Sequence, residues 1–331
     1  MQYAGYILDL DGVVYIGADA VPYAIESLNA AASRGVRLTA ATNNANRPAA
    51  DVAHHLTDLG LQIAERDVVT SAQAAAAELA RMLPAGAEVL AVGGPGVAWA
   101  LETAGLRPLR ASAELAVGDD VARRAAAVMM GYGPAVAWHD LAAASWAIQR
   151  GVPWMATNTD STVPTPFGRA LGNGSLVRAL IHATGCEPLI AGKPQPTLFE
   201  TTIAEIGTRD VLVIGDRFDT DIDGAAACGI DSMLVLTGVH GLAELAAQPF
   251  ERWPQFIAQD LRSLTADVVT VERDGESVST ASDHPLATAV VVAARDRMGQ
   301  HLERPAYVAT EAVAPVVDVR PLLAAAGSVR P

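Results

Sequence analysis

Three short, mostly apolar runs along the chain each end in acidic or hydroxyl side chains. The runs are residues 6–8, 36–41 and 210–214. The first leads into Asp9, the second into Thr42, and the third through a glycine into Asp216. Near-continuous apolar strands are typical of parallel sheets that are covered on both faces. The pattern therefore predicts a buried parallel sheet whose polar residues gather beyond the carboxyl ends of its strands, where open sheets bind ligands.

Helical segments connect these strands, and an independent pattern interrupts them. One helix is predicted over about residues 22–33 and a small-residue helix begins at Gly224. Roughly residues 77–184 contain further strand candidates with helices between them, and these are residues 88–93, 126–130 and 153–157. That number of elements is enough for a separate small core. We therefore predict an inserted α/β domain.

The pattern changes again after about residue 264. Residues 268–273 and 276–280 flank an Asp-Gly pair, which is typical of a hairpin with a primed turn, and residues 286–301 have a helical pattern. The predicted fold class is α/β, with a Rossmann-like parallel-sheet core, an inserted α/β cap domain and a small C-terminal α+β appendage. In the same order these parts are residues 1–76 with 185–264, residues 77–184, and residues 265–331.

Length and composition agree with this organisation. The chain has 331 residues, of which 51% are hydrophobic and 18% charged. This length is too great for one ordinary domain, and this composition is that of a core-forming globular protein. Disorder is therefore excluded as the main state of the chain.

The charge balance limits the possible binding partners of the protein, and the cysteines indicate its cellular compartment. The chain has 23 Lys+Arg against 37 Asp+Glu, a net charge of −14, and its cations form no run that would neutralise a row of phosphates. We therefore expect no nucleic-acid partner. Cys186 and Cys228 are too few and too far apart for a disulfide framework or a thiolate zinc cluster, which suits a reducing cytoplasm.

The N-terminus and the apolar runs also indicate a cytoplasmic location. No basic residue precedes Asp9, so both parts of a signal peptide are missing. The longest apolar runs, such as residues 286–294, are about half the ~20 residues that a spanning helix requires. We expect a cytoplasmic protein with no membrane segment. A homodimer is left open.

Asp9 and Asp11 stand two positions apart at the end of the first strand. Strand alternation points both carboxylates to the same side, and Gly12 lets the backbone turn sharply beside a ligand. A divalent cation would relieve their repulsion, and oxygen ligands without a nearby His or Cys suit Mg²⁺. A loop capped by aspartate explains this short sequence equally well by itself.

Two further residues favour the metal. Asp216 ends another apolar strand and would supply a third acidic oxygen to the same ion. Lys193 lies at a glycine-proline break just before a helix, where a solvated helix face is a poor explanation for a cation. A fixed lysine beside Mg²⁺ implies an anionic substrate group, most simply a phosphate.

Four ordered motifs of the chain resemble those of the haloacid dehalogenase superfamily. They are residues 9–14, 42–44, 192–194 and 215–222. Residues 158–160 and 172–175 of the insertion resemble the cap of the NagD-like, 4-nitrophenylphosphatase branch. The match covers about residues 3–262. Four motifs in order are a far more specific signal than any one of them.

The resemblance implies two catalytic carboxylates. Asp9 would be the nucleophile that attacks phosphorus and becomes an aspartyl-phosphate, which divides one difficult displacement into two easier ones. Asp11 would protonate the leaving alkoxide and then activate water as a base. Dehalogenase relatives need no acid two positions after the nucleophile, so Asp11 favours phosphoryl transfer to water.

The resemblance also implies the binding groups. Thr42 and the amide groups of Asn43 and Asn44 would hold phosphoryl oxygens. Lys193 would neutralise charge on both Asp9 and the phosphate. Mg²⁺ would be bound by the Asp9 carboxylate, the Asp11 backbone carbonyl and Asp216. Asp221 would orient Lys193 or a metal-bound water.

The implied activity is Mg²⁺-dependent hydrolysis of a small phosphate monoester. Glycerol 3-phosphate is the first expectation, because Ala-rich actinobacterial members hydrolyse it, followed by sugar phosphates, nucleoside monophosphates and pyridoxal phosphate. A phosphotransferase or mutase acting on sugar phosphates, and a non-catalytic regulator that binds a phosphometabolite, are the alternatives. Arg169 either contacts a substrate hydroxyl or carboxylate or is an ordinary surface arginine.

Overall fold

The computed structural model describes residues 3–165, 167–274, 276–298 and 314–327. Its strands are β1 Gly5–Leu8, β2 Tyr15–Ile16, β3 Asp19–Ala20, β4 Arg37–Thr42, β5 Val68–Thr70, β6 Glu88–Val92, β7 Arg107–Leu109, β8 Ala127–Met130, β9 Trp154–Ala156, β10 Thr162–Thr165, β11 Gly168–Leu171, β12 Leu189–Ile190, β13 Val211–Gly215, β14 Asp231–Val235, β15 Phe256–Ala258, β16 Val268–Asp274, β17 Ser277–Thr280 and β18 Val316–Asp318. Its α-helices are α1 Ala24–Ser33, α2 Ala49–Asp58, α3 Ser71–Met82, α4 Pro95–Thr103, α5 Leu115–Arg124, α6 Trp138–Gln149, α7 Asn173–Thr184, α8 Pro196–Ile206, α9 Asp223–Ala227, α10 Leu242–Ala247, α11 Pro285–Arg297 and α12 Arg320–Ala325.

The chain forms two compact units. The first comprises residues 1–40, 56–63 and 202–331, and the second comprises residues 41–55 and 64–201. The second unit therefore contains the whole predicted insertion, residues 77–184, together with flanking residues that we expected in the core. The predicted domain boundaries stay a prediction.

The first unit is built on the predicted parallel sheet. Its strands follow the order β17-β16-β18-β15-β14-β13-β1-β4. β1 lies between β13 and β4 and is parallel to both, with Leu8 opposite Ile214 on one side and Ala40 on the other. All residues of β1 and β13 are buried, as expected for a sheet that is covered on both faces. The residues that follow these strands consequently meet at one edge of the sheet.

The C-terminal appendage extends this sheet. β18 lies between β15 and β16, antiparallel to the former and parallel to the latter. β16 and β17 form the predicted antiparallel hairpin, whose Gly275 lies outside the described residues. The predicted helix over residues 286–301 is α11, which ends at Arg297, while residues 299–301 lie outside the described part of the chain.

One hydrophobic core joins the appendage to the rest of the first unit. Leu286 and Val290 of α11 are completely buried in the same cluster as Phe218 and Trp253. Apolar area removed from water stabilises the folded state by about 25 cal/mol per Å², so a core shared in this way makes the appendage an integral part of the unit.

The second unit has its own parallel sheet, with the strand order β12-β9-β8-β6-β7. The three predicted strands of the insertion are β6, β8 and β9, and they occupy the centre of this sheet. The two edge strands, β7 and β12, escape sequence analysis because they are short and only partly buried. β10 and β11 form a separate antiparallel hairpin whose side chains are largely exposed.

The described helices are short. The longest of them, α11, has 13 residues, well below the ~20 that a bilayer crossing requires. Within the described ranges, no helix combines the length and the apolar character needed to cross a membrane.

Candidate active site

Parallel pairing brings the first acidic motif next to the last one. Asp9 directly follows β1, and its N–H donates a hydrogen bond of 2.9 Å to the carbonyl of Ile214 in β13. Asp216 directly follows β13. The carboxyl ends of two neighbouring parallel strands therefore place these two aspartates side by side, as the sequence predicts.

Three carboxylates meet at this edge of the sheet. Asp9, Asp216 and Asp221 each offer one oxygen, and these oxygens lie within 4.8 Å of one another. We call this group the acid cluster. Asp216 and Asp221 are only 1% and 0% exposed, so water contributes little to screening their charges. Like charges held this close in a buried place repel one another strongly.

The donor chemistry of the acid cluster fits Mg²⁺. All three groups are carboxylates, and hard oxygen donors without nitrogen or sulfur are what this cation prefers. Asp11 contributes no carboxylate to the cluster and is exposed. The predicted ligand from Asp11 is its backbone carbonyl, which leaves the carboxylate available for proton transfer.

A neighbouring loop fixes Asp216 through its main chain. The Val239 N–H donates to Oδ2 of Asp216 at 2.6 Å, and the His240 N–H donates to the Asp216 carbonyl at 3.1 Å. A side chain at Gly238 would overlap the Asp216 carboxylate, so only glycine fits there. The same loop reaches the first motif, because the Thr237 hydroxyl donates to the Gly12 carbonyl at 2.6 Å.

Asp221 is presented by an unusual helical turn. Residues Phe218–Ile222 form a single π-helical turn, a feature that is rare and frequent at functional sites. Oδ2 of Asp221 accepts the Arg217 N–H at 3.2 Å. The Cβ and carboxylate of Asp221 pack so closely on Gly215 that no larger residue fits at the end of β13.

The predicted phosphate-binding residues lie in the second unit. Thr42, at the end of β4, is buried, and its Oγ1 accepts the Asn44 N–H at 3.1 Å. Oδ1 of Asn44 in turn accepts the Asn46 N–H at 2.9 Å. These local bonds make residues 42–46 a compact turn directly after a strand.

The Asn43 side chain pairs with the main chain of Lys193. Its Nδ2 donates to the Lys193 carbonyl at 3.1 Å, and its Oδ1 accepts the Lys193 N–H at 2.8 Å. One carboxamide thus satisfies both polar groups of one peptide residue 150 positions away. The second and third motifs are therefore fixed to each other.

Further polar groups hold Asn43 in place. Its backbone carbonyl accepts hydrogen bonds from the Ser71 hydroxyl at 2.8 Å and from Nδ2 of Asn158 at 2.7 Å. Both carboxylate oxygens of Asp160 lie 3.4 Å from Nδ2 of Asn43. We call these four residues, together with the main chain of Lys193, the Asn43 network.

Lys193 itself is buried, with 4% of its surface exposed. It lies in a turn in which the Gln195 N–H donates to the Gly192 carbonyl at 3.0 Å, and its peptide bond to Pro194 is cis. Helix α8 begins just beyond, at Pro196. A lysine is rarely buried without anionic partners, because burial disfavours its charged form.

The structure thus gathers the predicted residues into two groups. Asp9, Asp216 and Asp221 form the acid cluster of the first unit, and Thr42, Asn43, Asn44 and Lys193 form one connected region of the second. Arg169 lies exposed on β11, opposite Pro164, and its predicted alternatives both stay open.

Sequence analysis misses some residues that organise the site. It assigns no role to Val239 or His240, which bond to Asp216, because a backbone donor leaves no compositional signal. Asn158 and Asp160 do stand in a motif that resembles the family's cap, but nothing in the sequence connects them to Asn43. Such connections between distant segments appear only in the fold.

Two family models match the chain. Residues 6–107 match the haloacid dehalogenase-like hydrolase model, and residues 190–264 match a related hydrolase-like model. The D-glycerol 3-phosphate phosphatase of Mycobacterium tuberculosis is 44% identical over 262 residues, which are 79% of this chain and 70% of that protein. A 5′-nucleotidase of Bacillus subtilis is 32% identical, over 72% of this chain and 88% of its own.

Solved structures give the same assignment. A glycerol phosphate phosphatase from Mycobacterium tuberculosis in complex with magnesium has a TM-score of 0.76 at 36% identity, and the match covers 99% of this chain and 98% of that one. A p-nitrophenyl phosphatase from Archaeoglobus fulgidus has a TM-score of 0.70 at 28% identity, over 79% and 97% of the two chains. The chain belongs to the haloacid dehalogenase-like hydrolases, and it is an enzyme of that family.

Proposed function

We propose that this protein is a Mg²⁺-dependent phosphatase that hydrolyses a small phosphate monoester, with glycerol 3-phosphate as the first candidate. The observation that carries the proposal is the acid cluster, in which Asp9 and Asp216, at the ends of neighbouring strands, lie together with Asp221 of the π-helical turn. The choice of glycerol 3-phosphate as first candidate substrate rests on the 44% identity to a D-glycerol 3-phosphate phosphatase.

In the first half of the reaction, a carboxylate oxygen of Asp9 forms a bond to phosphorus while the bond from phosphorus to the alcohol oxygen breaks. Asp11 donates its proton to the leaving alkoxide, which departs as the free alcohol. The product on the enzyme is an aspartyl-phosphate at Asp9. The exposed position of Asp11 suits a group that exchanges protons with a departing alcohol.

In the second half, Asp11 accepts a proton from water, and the water oxygen forms a bond to the same phosphorus. The bond between phosphorus and Asp9 breaks, so that inorganic phosphate leaves and the Asp9 carboxylate is restored. Asp11 ends in its protonated form, ready for the next substrate. One residue thus serves as acid and then as base.

The binding roles follow the family resemblance. Mg²⁺ would be held by the Asp9 and Asp216 carboxylates and the Asp11 carbonyl, and when bound it supplies positive charge that offsets the carboxylates and the phosphoryl oxygens. Asp221 would orient the groups around it. The residues that bind the phosphoryl oxygens would be Thr42, Asn43, Asn44 and Lys193.

Three further properties belong to the same proposal. Residues 77–184 would act as a cap that excludes water during the phosphorylation of Asp9 and restricts the site to compact substrates. A cytoplasmic location is tested by cell fractionation. A homodimer is tested by light scattering on the purified protein.

The proposed function is tested by assaying phosphate release from a panel of small phosphate esters with Mg²⁺, beside the variant Asp9→Asn. We expect glycerol 3-phosphate to be hydrolysed with the highest kcat/KM, and the variant to lose at least about a thousandfold in kcat. An isomerised sugar phosphate instead of inorganic phosphate would identify a mutase. Tight binding without turnover would identify a regulator.

A further inference from the structure

The loop that fixes Asp216 is itself fixed at one end by a side chain. His240 uses its backbone N–H for the Asp216 carbonyl, while its Nδ1 accepts the Phe218 N–H at 2.9 Å. Its ring also stacks on the Phe218 ring, with centroids 5.4 Å apart and planes inclined by 30°. His240 thus contacts both Asp216 and Phe218, which lie two positions apart in the segment that follows β13.

Phe218 is a firm anchor for this imidazole. Its side chain is 1% exposed and belongs to the large core cluster that includes Leu286 and Val290 of α11. Because that core is closely packed, the position of the Phe218 N–H is determined by many neighbours. The hydrogen bond to Nδ1 transfers this fixed position to His240 and, through Val239, to the Asp216 carboxylate.

We propose that His240 is a positioning residue for metal binding, which holds the loop of residues 237–240 so that the Val239 N–H orients the Asp216 carboxylate toward the ion. The inference rests on the metal site of the proposed function. Groups that orient a metal ligand commonly change metal affinity about 10- to 100-fold when they are removed.

Two substitutions separate the hydrogen bond from the ring. His240→Phe keeps an aromatic ring to stack on Phe218 but has no acceptor. His240→Asn loses the ring but places an amide oxygen close to the position of Nδ1, where it accepts the Phe218 N–H. If the hydrogen bond carries the effect, only the phenylalanine variant weakens metal binding.

His284 offers a matched control in the same unit. Its Nδ1 accepts the Leu286 N–H at 3.1 Å at the start of α11, so the same kind of bond occurs at a place with no part in metal binding. His284→Phe removes that helix cap and lowers the melting temperature. It leaves the affinity for the ion unchanged.

The experiment titrates Mg²⁺ into the metal-free full-length protein by calorimetry, with the melting temperature measured in EDTA and kcat measured at saturating Mg²⁺. We expect His240→Phe to raise the dissociation constant about tenfold or more, with kcat at saturation within about twofold of the wild type. His240→Asn stays within about threefold, and His284→Phe equals the wild type.

Asp216→Asn distinguishes the two proposals. If this variant binds Mg²⁺ as tightly as the wild type, the metal site of the proposed function is wrong. If it loses binding while His240→Phe keeps the wild-type affinity, the role of His240 is overturned and the metal site stands. A loss in His240→Asn as large as that in His240→Phe would also overturn the role, since it would show that an acceptor for the Phe218 N–H is not enough to hold the loop.

Discussion

The acid cluster and the Asn43 network are held by different means. Around Asp216 and Asp221 the partners are backbone N–H groups, from Val239 and Arg217, and close approach to glycines. Around Asn43 the hydrogen bonds described above each involve a side chain. The Asn43 carboxamide bonds the Lys193 main chain and lies against the Asp160 carboxylate. The Asn43 carbonyl accepts hydrogen bonds from the Ser71 hydroxyl and the Asn158 amide. Close packing against glycines leaves no room for larger side chains in the first region. Paired hydrogen-bond donors and acceptors hold the second region together.

This difference determines which substitutions should disrupt the geometry of each region. A carboxylate held by main-chain groups is sensitive above all to added volume and to substitutions that displace those main-chain groups. A region held by side-chain amides loses its geometry through single polar substitutions, because each donor or acceptor belongs to one residue. Substitutions of the two kinds should therefore affect metal affinity and substrate affinity separately.

The largest effect should come from added volume behind Asp216. In Gly238→Ala the new methyl group overlaps the Asp216 carboxylate, which must move. We expect the dissociation constant for Mg²⁺, measured by calorimetry, to rise roughly a hundredfold. Gly241→Ala is the control, since a methyl group there lies 3.5 Å from Glu244, in ordinary contact. Normal metal binding by Gly238→Ala would contradict the role assigned to close packing.

A smaller effect should come from the amide that links two motifs. Asn43→Leu keeps the volume but removes both hydrogen bonds to the Lys193 main chain. Loss of this alignment should raise KM for the best phosphate ester roughly tenfold, with the Mg²⁺ dissociation constant unchanged. Steady-state kinetics at saturating Mg²⁺ provide the measurement.

Asn29 provides the matched control for that variant. Its Nδ2 donates to the Gly60 carbonyl and its Oδ1 accepts the Gln62 N–H, both at 2.9 Å, so the same paired carboxamide occurs away from the motifs. Asn29→Leu should lower the melting temperature without changing KM. Equal changes of KM in the two leucine variants would remove any special role of Asn43.

The smallest effect should come from the buried carboxylate of Asp260, which is paired with the Arg262 guanidinium. Burial alone would raise the pKa of Asp260, but the Arg262 side chain, 2.7 Å away, and the Arg262 N–H lower it more, so this pKa lies below its usual value. Such a group stabilises the fold above the unfolded pKa of about 3.9, and the contribution disappears as pH falls through the folded pKa.

Asp260→Asn tests this contrast with the acid cluster. We expect the free energy of unfolding at pH 7 to fall by roughly 1–2 kcal/mol, with kcat and metal affinity unchanged. The gap to the wild type should close as the pH is lowered below about 4 in denaturant titrations. A gap that persists there would show that charge is not its cause.

Local patterns predict the parts of the fold that depend on local residues. The apolar runs that become β1 and β13, and the aspartates that end them, are visible because burial on two faces requires an unbroken apolar sequence. The hairpin of β16 and β17 is visible through its turn residues. Both signals lie inside the element they predict or directly beside it, as β16 and β17 show.

Long-range features escape the same analysis. β18 pairs with β15 and β16 although only three residues long, and it could not be recognised before the sheet was known. The bond from Asn158 to Asn43 joins positions 115 residues apart. The role of His240 depends on Phe218, 22 residues away, and neither residue is recognisable from the sequence as part of a metal site. Tertiary packing alone brings these groups together.

The central claim is that Asp9, in the acid cluster, accepts the phosphoryl group. Its most direct test is to quench the enzyme during turnover of glycerol 3-phosphate with Mg²⁺, reduce the acyl phosphate with borohydride, and measure the mass of the peptide that contains residue 9. Reduction converts an aspartyl-phosphate to homoserine, and we predict this conversion at Asp9 only when substrate and Mg²⁺ are both present. Turnover that continues while Asp9 remains unmodified, or conversion at another aspartate, would contradict the account.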